Sequence, residues 1–174
     1  PPVTEPPATE PPATQPPATE PPAEYIGSLY TRQQLEKLDN TLIPYGPGPA
    51  KNGDPAPYAG PAQEKYGKYD AHFIEAQENV IYLTFDCGYE YFADGQPLTG
   101  LILDTLKEKD VKAVFFVTMS YVKNNPALVQ RMIDEGHAVG NHSADHHSMP
   151  SLTIDEMVSE IMKLHDYMET NFGY

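Results

Sequence analysis

The stretch Asn79-Val-Ile-Tyr-Leu-Thr-Phe-Asp-Cys-Gly-Tyr-Glu90 decides the fold of this chain. Its first part, residues 80–85, is β-branched and aromatic and has the length and composition of a buried strand. Asp86, Cys87 and Gly88 follow, so a carboxylate, a thiol and a turn-permitting glycine lie just past the strand. In parallel α/β proteins the functional loops follow the carboxyl ends of the strands. Asp86 and Cys87 are therefore either functional residues or, respectively, a turn cap and a small buried apolar residue.

Three strand–helix units follow one another from this stretch to the end of the chain. Strands are predicted at residues 80–85, 112–118 and 138–140, and helices at residues 100–109, at residues 126–135 and from Thr153 onward. Apolar strands that alternate with helices are typical of a parallel sheet. A complete (β/α) barrel has eight such units in roughly 250 residues, so we expect an α/β domain of which this chain carries the first units.

Local signals define the ends of two of these helices. Asn125 followed by Pro126 is typical of a helix start, and Gly136 is typical of the position just past a helix end. Thr153 and Glu156 have the spacing of a capping box, in which each side chain bonds the backbone N–H of the other residue. The last helix carries apolar residues at helical spacing, namely Met157, Ile161, Leu164 and Met168.

The chain divides into three regions by composition. Residues 1–24 repeat a five-residue pattern, PPVTE-PPATE-PPATQ-PPATE, and are predicted to be a disordered, extended linker. A proline-rich docking ligand and a mucin-like stalk are the alternatives for this linker. Residues 25–78 contain a predicted short helix at residues 31–40 and a Pro/Gly/Tyr-rich passage at residues 43–61, which we expect to be irregular and to lie across the domain as an arm. The α/β domain is predicted at residues 79–174.

The composition excludes several kinds of partner. Acidic residues outnumber Lys and Arg by 25 to 11, for a net charge of −14. Nucleic acid and an anionic membrane surface are therefore not expected partners. No apolar run is long enough to form a transmembrane segment. The single cysteine, Cys87, cannot form a disulfide within the chain.

Two histidines follow the third predicted strand in the motif His142-Ser-Ala-Asp-His146, and His147 adjoins it. Because parallel strands end at the same edge of a sheet, this motif should lie near Asp86 and Cys87. Two histidines and an anionic ligand can hold zinc with one position open for water. Zinc lowers the pKa of such a water to about 7, and a neighbouring carboxylate can act as the base, which suits hydrolysis of an amide. Taken alone, the motif is also compatible with histidines in a polar loop.

Three motifs together resemble those of the NodB-homology polysaccharide deacetylases. They are Thr84-Phe-Asp-Cys-Gly88, Phe115-Phe-Val-Thr118 and Glu135-Gly-His-Ala-Val-Gly-Asn-His-Ser-Ala-Asp-His146, in that order. The resemblance implies a distorted (β/α) barrel and a hydrolase that removes N-acetyl groups from amino sugars. It also implies that Asp86 is the catalytic base and that His142 and His146 bind a divalent metal, usually zinc.

Cys87 departs from the family pattern, in which a metal-binding aspartate occupies this position. As a thiolate Cys87 can bind zinc beside the two histidines, and as a neutral thiol it would weaken or abolish metal binding. We expect the first of these, with Cys87 as a third ligand. Within this family, a similar departure, from aspartate to asparagine, is typical of the branch of the muramic-acid deacetylases. The amine that these enzymes produce can go on to form a δ-lactam. Gly88-Tyr-Glu90 resembles the continuation of their motif.

The resemblance also implies a substrate and a place of action. We expect a cell-wall glycan, peptidoglycan, as the partner, and an extracellular or cell-surface location with the Pro/Thr-rich linker as the tether. The later motifs of the family supply an arginine, an Asp-Trp segment and a further histidine, and the chain has no tryptophan. We therefore expect the 174-residue chain to be inactive by itself. The alternatives are a glycan-binding module that has lost its metal and a stalked surface interaction protein.

Overall fold

A computed structural model of the protein describes residues 31–43, 46, 48–52, 54, 56–69, 71–74 and 80–174. The linker predicted at residues 1–24 lies outside these described residues, as do parts of the Pro/Gly/Tyr-rich passage. No helix within the described ranges is both long enough and apolar enough to cross a membrane.

Strands and helices alternate through the second half of the chain. In chain order the elements are α1 (Arg32–Leu35), α2 (Ala59–Tyr66), β1 (Thr84–Cys87), β2 (Phe92–Ala93), β3 (Gln96–Pro97), α3 (Leu98–Glu108), β4 (Val114–Val117), α4 (Met119–Asn124), α5 (Pro126–Asp134), β5 (Ala138–Asn141) and α6 (Ile154–Phe172). Short 3₁₀ turns occur at Gly67–Tyr69 and Met149–Ser151.

The strands β1, β4 and β5 form a three-stranded parallel sheet with β4 in the centre. Phe115 of β4 pairs with Phe85 of β1 on one side and with Val139 of β5 on the other. Parallel neighbours require a crossover, and the helices α3 to α5 supply the two crossovers. The α/β fold class with a parallel sheet is thereby confirmed.

The predicted strand at residues 80–85 is wrong in its first half. Pairing begins at Thr84, because the four residues of β4 match only Thr84–Cys87 of β1. The residues before Thr84 are exposed, and Ile81 has 85% of its surface accessible. β1 is an edge strand of this sheet and has a neighbouring strand on one side only. Its apolar composition therefore did not indicate how much of it is buried.

The helix-end signals are confirmed except at Asn125. In the capping box Thr153 Oγ1 accepts the N–H of Glu156, and the Glu156 carboxylate accepts the N–H of Thr153. Pro126 is the first residue of α5, and Gly136 lies past its end with φ at +76°. The Asn125 side chain does not cap α5 and instead donates a hydrogen bond to the carbonyl of α4 residue Tyr121.

Several short elements escaped prediction. The helix expected at residues 31–40 is a single turn, α1, and the passage expected to be irregular up to residue 61 ends in α2, which begins at Ala59. A two-residue hairpin joins β2 to β3 through Asp94 and Gly95. Both turn residues have positive φ, as a type I′ turn requires.

The apolar core lies between one face of the sheet and the helices. Its buried members include Leu103, Phe115, Val117, Tyr121, Val122, Val129, Met132 and Leu164. The rings of Phe115 and Phe85 stack with their centroids 5.0 Å apart. The helices thus cover one face of the sheet, and the position of each side chain along a strand decides whether it points into this core.

The segment around α1 contacts the start of α6. The Arg32 guanidinium donates two hydrogen bonds of 2.6 Å to the carboxylate of Asp155. The Asn40 amide donates a third, of 2.7 Å, to the carbonyl of Pro150. These contacts tie residues 31–40 to the domain, although both members of the ion pair are about half exposed and such pairs add little stability.

Candidate functional site

Alternation along the strands separates the two residues that the sequence singled out on β1. Cys87 is buried with Phe85 against the helices, whereas Asp86 is exposed. Successive side chains of a strand point to opposite faces, so Asp86 lies on the face of the sheet that the helices leave open. The register continues this row across the sheet, with Phe116 beside Asp86 and Gly140 beside Phe116.

His142 continues the open face beyond the end of β5. Its N–H donates to the carbonyl of Val117, which extends the ladder past Asn141, and it lies two residues after Gly140. The Phe116 ring packs directly over Gly140, where any Cβ would collide with it. The His142 ring lies 6.5 Å from the Phe116 ring, between centroids. His142 and Asp86 therefore share one face and one edge of the sheet.

The structure brings the two predicted metal-binding histidines together. The ring centroids of His142 and His146 are 4.6 Å apart. Both rings line a cavity of about 270 Å³ at the carboxyl edge of the sheet. The other residues that line it are Gly88, Tyr89, Thr118, Ser120, Ala144 and Asp145. Among the described residues, Asp86 and Cys87 are not part of the cavity wall.

The environment of Cys87 is that of a neutral thiol. Only 6% of its surface is exposed, and its thiol donates a long hydrogen bond of 3.8 Å to the carbonyl of Phe85. Burial, and then the negative charges of Glu90 and Asp86, raise the pKa of Cys87 to about 11. These surroundings favour the neutral thiol over the thiolate that metal binding by Cys87 would require.

We expect the Cys87 thiol to react slowly in the folded chain. At pH 8 and with metal removed by chelation, alkylation by iodoacetamide should be at least about 100-fold slower than in urea, because a pKa of about 11 instead of 9.0 leaves about a hundredth of the thiolate. A Cys87→Ser chain with Ser120→Cys at the exposed rim of the cavity is the control and should react at the rate of a free thiol. Equal rates for the folded and unfolded parent chain would indicate an accessible thiolate, as ligation requires.

A second cluster of potential ligands lies beside the histidine pair and was not predicted. Ligand atoms of Asp145, His147 and Glu160 all lie within 4.8 Å of one another. Glu160 belongs to α6 and is 4% exposed. The sequence does carry a signal for it, because Glu160 interrupts the apolar stripe between Met157 and Leu164. An ionisable residue in such a stripe is buried only when it has partners.

Glu90 holds the chain that leads from β1 to α3. Its carboxylate accepts hydrogen bonds from the Tyr121 hydroxyl at 2.6 Å and from the Thr99 N–H at 3.0 Å. Burial by itself would raise the pKa of Glu90, but these hydrogen bonds lower it below its usual range. Burial and the hydrogen bond to Glu90 raise the pKa of Tyr121 well above its usual value. The pair thus anchors the segment that presents Gly88 and Tyr89 to the cavity.

Known proteins share both the sequence and the fold of this region. The peptidoglycan-N-acetylmuramic acid deacetylase PdaA of Bacillus subtilis is 38% identical over 129 residues, which are 74% of this chain and 47% of that protein. The peptidoglycan-N-acetylglucosamine deacetylase PgdA of Listeria monocytogenes is 42% identical over 94 residues, which are 54% of this chain and 19% of that protein.

The solved structure of Bacillus subtilis PdaA, a family 4 carbohydrate esterase, superposes with a TM-score of 0.68 at 34% identity and covers 79% of this chain. The match takes in 57% of the PdaA structure, so this chain spans about half the length of the relative that it resembles. The family model described as polysaccharide deacetylase matches residues 74–174, which is more than half of the chain. The chain belongs to the polysaccharide deacetylase family.

Proposed function

We propose that this chain is part of an enzyme that uses a divalent metal, zinc, to remove N-acetyl groups from the amino sugars of peptidoglycan. The observation that carries the proposal is the pair of histidine rings, 4.6 Å apart, on the sheet edge and sheet face that also carry Asp86. The names of the relatives support peptidoglycan as the substrate class. The similarity to PdaA and the motif Gly88-Tyr-Glu90 support N-acetylmuramic acid as the sugar.

His142 and His146 are the residues that would hold the metal. Their rings are adjacent, both line the cavity, and imidazole nitrogen is a preferred ligand of zinc. When bound, such a metal polarises a carbonyl group and lowers the pKa of water to about 7. Cys87 is poorly placed to be a third ligand of the metal, because its thiol is buried on the core-facing side of the sheet, opposite to the face that carries Asp86 and His142.

Asp86 would act as the general base. It is exposed at the end of β1, and a carboxylate can accept a proton from water that attacks the acetyl carbonyl carbon. The new carbon–oxygen bond replaces the carbon–nitrogen bond, the amine nitrogen takes up a proton, and acetate and a free amino sugar are the products. Tyr89, with 80% of its surface exposed at the rim of the cavity, offers an aromatic face to the sugar ring.

We further propose that the enzyme works outside the cell, at the wall. The substrate class supports this location, since the peptidoglycan that the relatives are named for is a wall polymer. The protein has a net charge of −14, so long-range attraction to an acidic wall polymer does not assist binding. Recognition would therefore depend on short-range contacts in the cavity.

Metal content tests the proposal. We expect about one zinc per chain after dialysis against dilute zinc, and loss of that zinc in His142→Ala. Cys87→Ala should retain it, because the buried thiol is not needed to hold the ion. Elemental analysis of the purified chain gives the stoichiometry, and release of acetate from N-acetylated wall glycan by the full-length protein of the organism tests the reaction.

A parent chain without zinc, or a His142→Ala chain that keeps it, would contradict the assignment of this site. In the first case the non-catalytic glycan-binding module becomes the better interpretation. Its distinguishing result is retention of the full-length protein on purified wall glycan with no acetate released. Loss of zinc in both His142→Ala and Cys87→Ala would instead show that Cys87 is a ligand, and that its side chain leaves the core when the metal binds.

A further inference from the structure

The loop of residues 142–147, here called the histidine loop, has a backbone conformation that needs contacts from the rest of the protein to be stable. Ser143 and His146 both have left-handed conformations, with φ at +65° and +57°. Non-glycine residues adopt this conformation at a cost in energy, and it persists only where surrounding contacts hold it. Local bonds contribute two of these contacts, from the Ser143 N–H to Asn141 Oδ1 at 2.9 Å and from the His146 N–H to Ser143 Oγ at 3.0 Å.

Glu160 of α6 provides the contacts from outside the loop. Its Oε2 accepts the N–H of Asp145 at 2.8 Å, and its Oε1 lies 3.2 Å from Nδ1 of His147. Its backbone carbonyl accepts the N–H of Ala144 at 2.8 Å. Three of the six residues of the loop, Ala144, Asp145 and His147, are thus paired with oxygens of one residue of α6. The neighbouring Ile161 carbonyl accepts a further hydrogen bond, of 2.8 Å, from the amide of Asn141, the residue just before the loop.

The burial of Glu160 makes this pairing reciprocal. A carboxylate with 4% of its surface exposed is stable only while its oxygens have donors. The donors of Glu160 come from the histidine loop, and the loop in turn takes its shape from Glu160. A rearrangement of the loop would leave the carboxylate without partners, so the two are held together as a unit.

We propose that Glu160 is a positioning residue, which fixes the histidine loop in the conformation that brings the rings of His142 and His146 together. The inference rests on the proposed function, in which these two histidines bind the metal. The hydrogen bonds of the Glu160 carboxylate within the described residues go to Asp145 and His147 and not to the ring of His142 or His146. Glu160 acts through Asp145 and His147, the residues on either side of His146.

A competing interpretation makes Glu160 itself a metal ligand, together with Asp145 and His147. The three ligand atoms are close enough to surround an ion. However, both carboxylate oxygens of Glu160 already have partners within the protein, one at 2.8 Å and the other at 3.2 Å. An ion held by Oε1 and His147 Nδ1 would have to replace the contact between these two atoms. The geometry is therefore that of a hydrogen-bonded anchor.

The test is a titration of the 174-residue chain with Co²⁺, whose visible absorption reports binding by histidine. The variants are Glu160→Ala, which removes the anchor, and Glu160→Gln, which keeps its shape and one acceptor. Leu164→Ala is the matched control, because it truncates a buried side chain one turn further along α6 and contributes to the apolar core. Circular dichroism establishes that each chain is folded at the temperature used.

We expect Co²⁺ affinity to fall about 10- to 100-fold in Glu160→Ala, the range found when a group that orients a metal ligand is removed. Glu160→Gln should show a smaller loss, and Leu164→Ala should bind as the parent does despite lower stability. Parent-like affinity in both Glu160 variants, or an equal loss in Leu164→Ala, would overturn the inference. If Glu160→Ala does not fold, the comparison of Glu160→Gln with Leu164→Ala decides.

Two further measurements separate failure of the inference from failure of the proposed function. Binding that survives His142→Ala but is lost in His147→Ala would place the ion in the second cluster, with Glu160 as a ligand, and would overturn both. If the parent chain binds no Co²⁺, amide hydrogen exchange still tests the anchor. Exchange at Asp145 and His146 should then be at least tenfold faster in Glu160→Ala, with no such local change in Leu164→Ala, and unchanged exchange would overturn the inference.

Discussion

Replacement of Asp86 by asparagine is expected to lower the rate of acetate release about 10²- to 10⁴-fold, the usual contribution of a general base. Asparagine has the shape of aspartate but cannot accept a proton from the attacking water. Asp86 is exposed on the open face of the sheet, outside the apolar core. The variant should therefore fold, and it should bind zinc as the parent chain does. The measurement is the initial rate with N-acetylated wall glycan and the full-length protein.

The control for this prediction is Asp166→Asn, the same chemical change at an exposed position of α6. It should leave the rate within a factor of about two, because surface substitutions away from special features have small effects. A rate for Asp86→Asn within about threefold of the parent would mean that another group accepts the proton. Loss of zinc in Asp86→Asn would instead indicate that Asp86 is a ligand.

Replacement of Phe115 by alanine is expected to lower the free energy of unfolding by about 3–5 kcal/mol, as the loss of a buried phenylalanine does. Phe115 is completely buried in the central strand, stacked on Phe85 and in edge contact with the His137 ring at 5.3 Å. Domains are stable by only about 5–15 kcal/mol, so the variant should unfold at much lower urea concentration. Urea titration followed by circular dichroism gives the difference.

Phe92→Ala is the matched control for Phe115→Ala. Phe92 lies in the β2–β3 hairpin and is largely exposed, so its truncation should change the free energy of unfolding by no more than about 0.5 kcal/mol. A loss below about 1 kcal/mol in Phe115→Ala would show that β4 is not packed between β1, β5 and the helices as described. The fold would then need to be revised before any interpretation of the site.

Features that depend on neighbouring residues were predictable from the sequence. The capping box of Thr153 and Glu156 formed as expected, because both hydrogen bonds are closed within four residues. Pro126 begins α5 for the same local reason, since its ring fixes φ and it lacks the N–H that a first helical residue leaves unpaired. The alternation of apolar strands and helices likewise predicted the parallel sheet, because only a crossover helix can join parallel neighbours.

Features that depend on pairing partners were predicted less well. The strand around Thr84 begins four residues later than its apolar composition suggested, because β4 provides only four residues to pair with. The hairpin at Asp94 and Gly95 was not predicted, although Asp-Gly is a typical sequence of a two-residue turn. Asn125 stands at a helix start, but its amide bonds to α4 instead of capping α5.

For the site, the sequence by itself determined which residue types meet at the carboxyl edge of the sheet. The order of the motifs and the parallel topology were enough to predict that His142 and His146 approach the end of β1. Only the tertiary structure decided which way each side chain faces. A strand alternates between two faces, and the position of the helices determines which face is buried, so that Asp86 is exposed and Cys87 enters the core. Likewise, Glu160 meets the histidine loop only because α6 packs beside it. The interrupted apolar stripe of α6 indicates that Glu160 has a partner, but the partner lies 13 or more positions away and no local pattern identifies it.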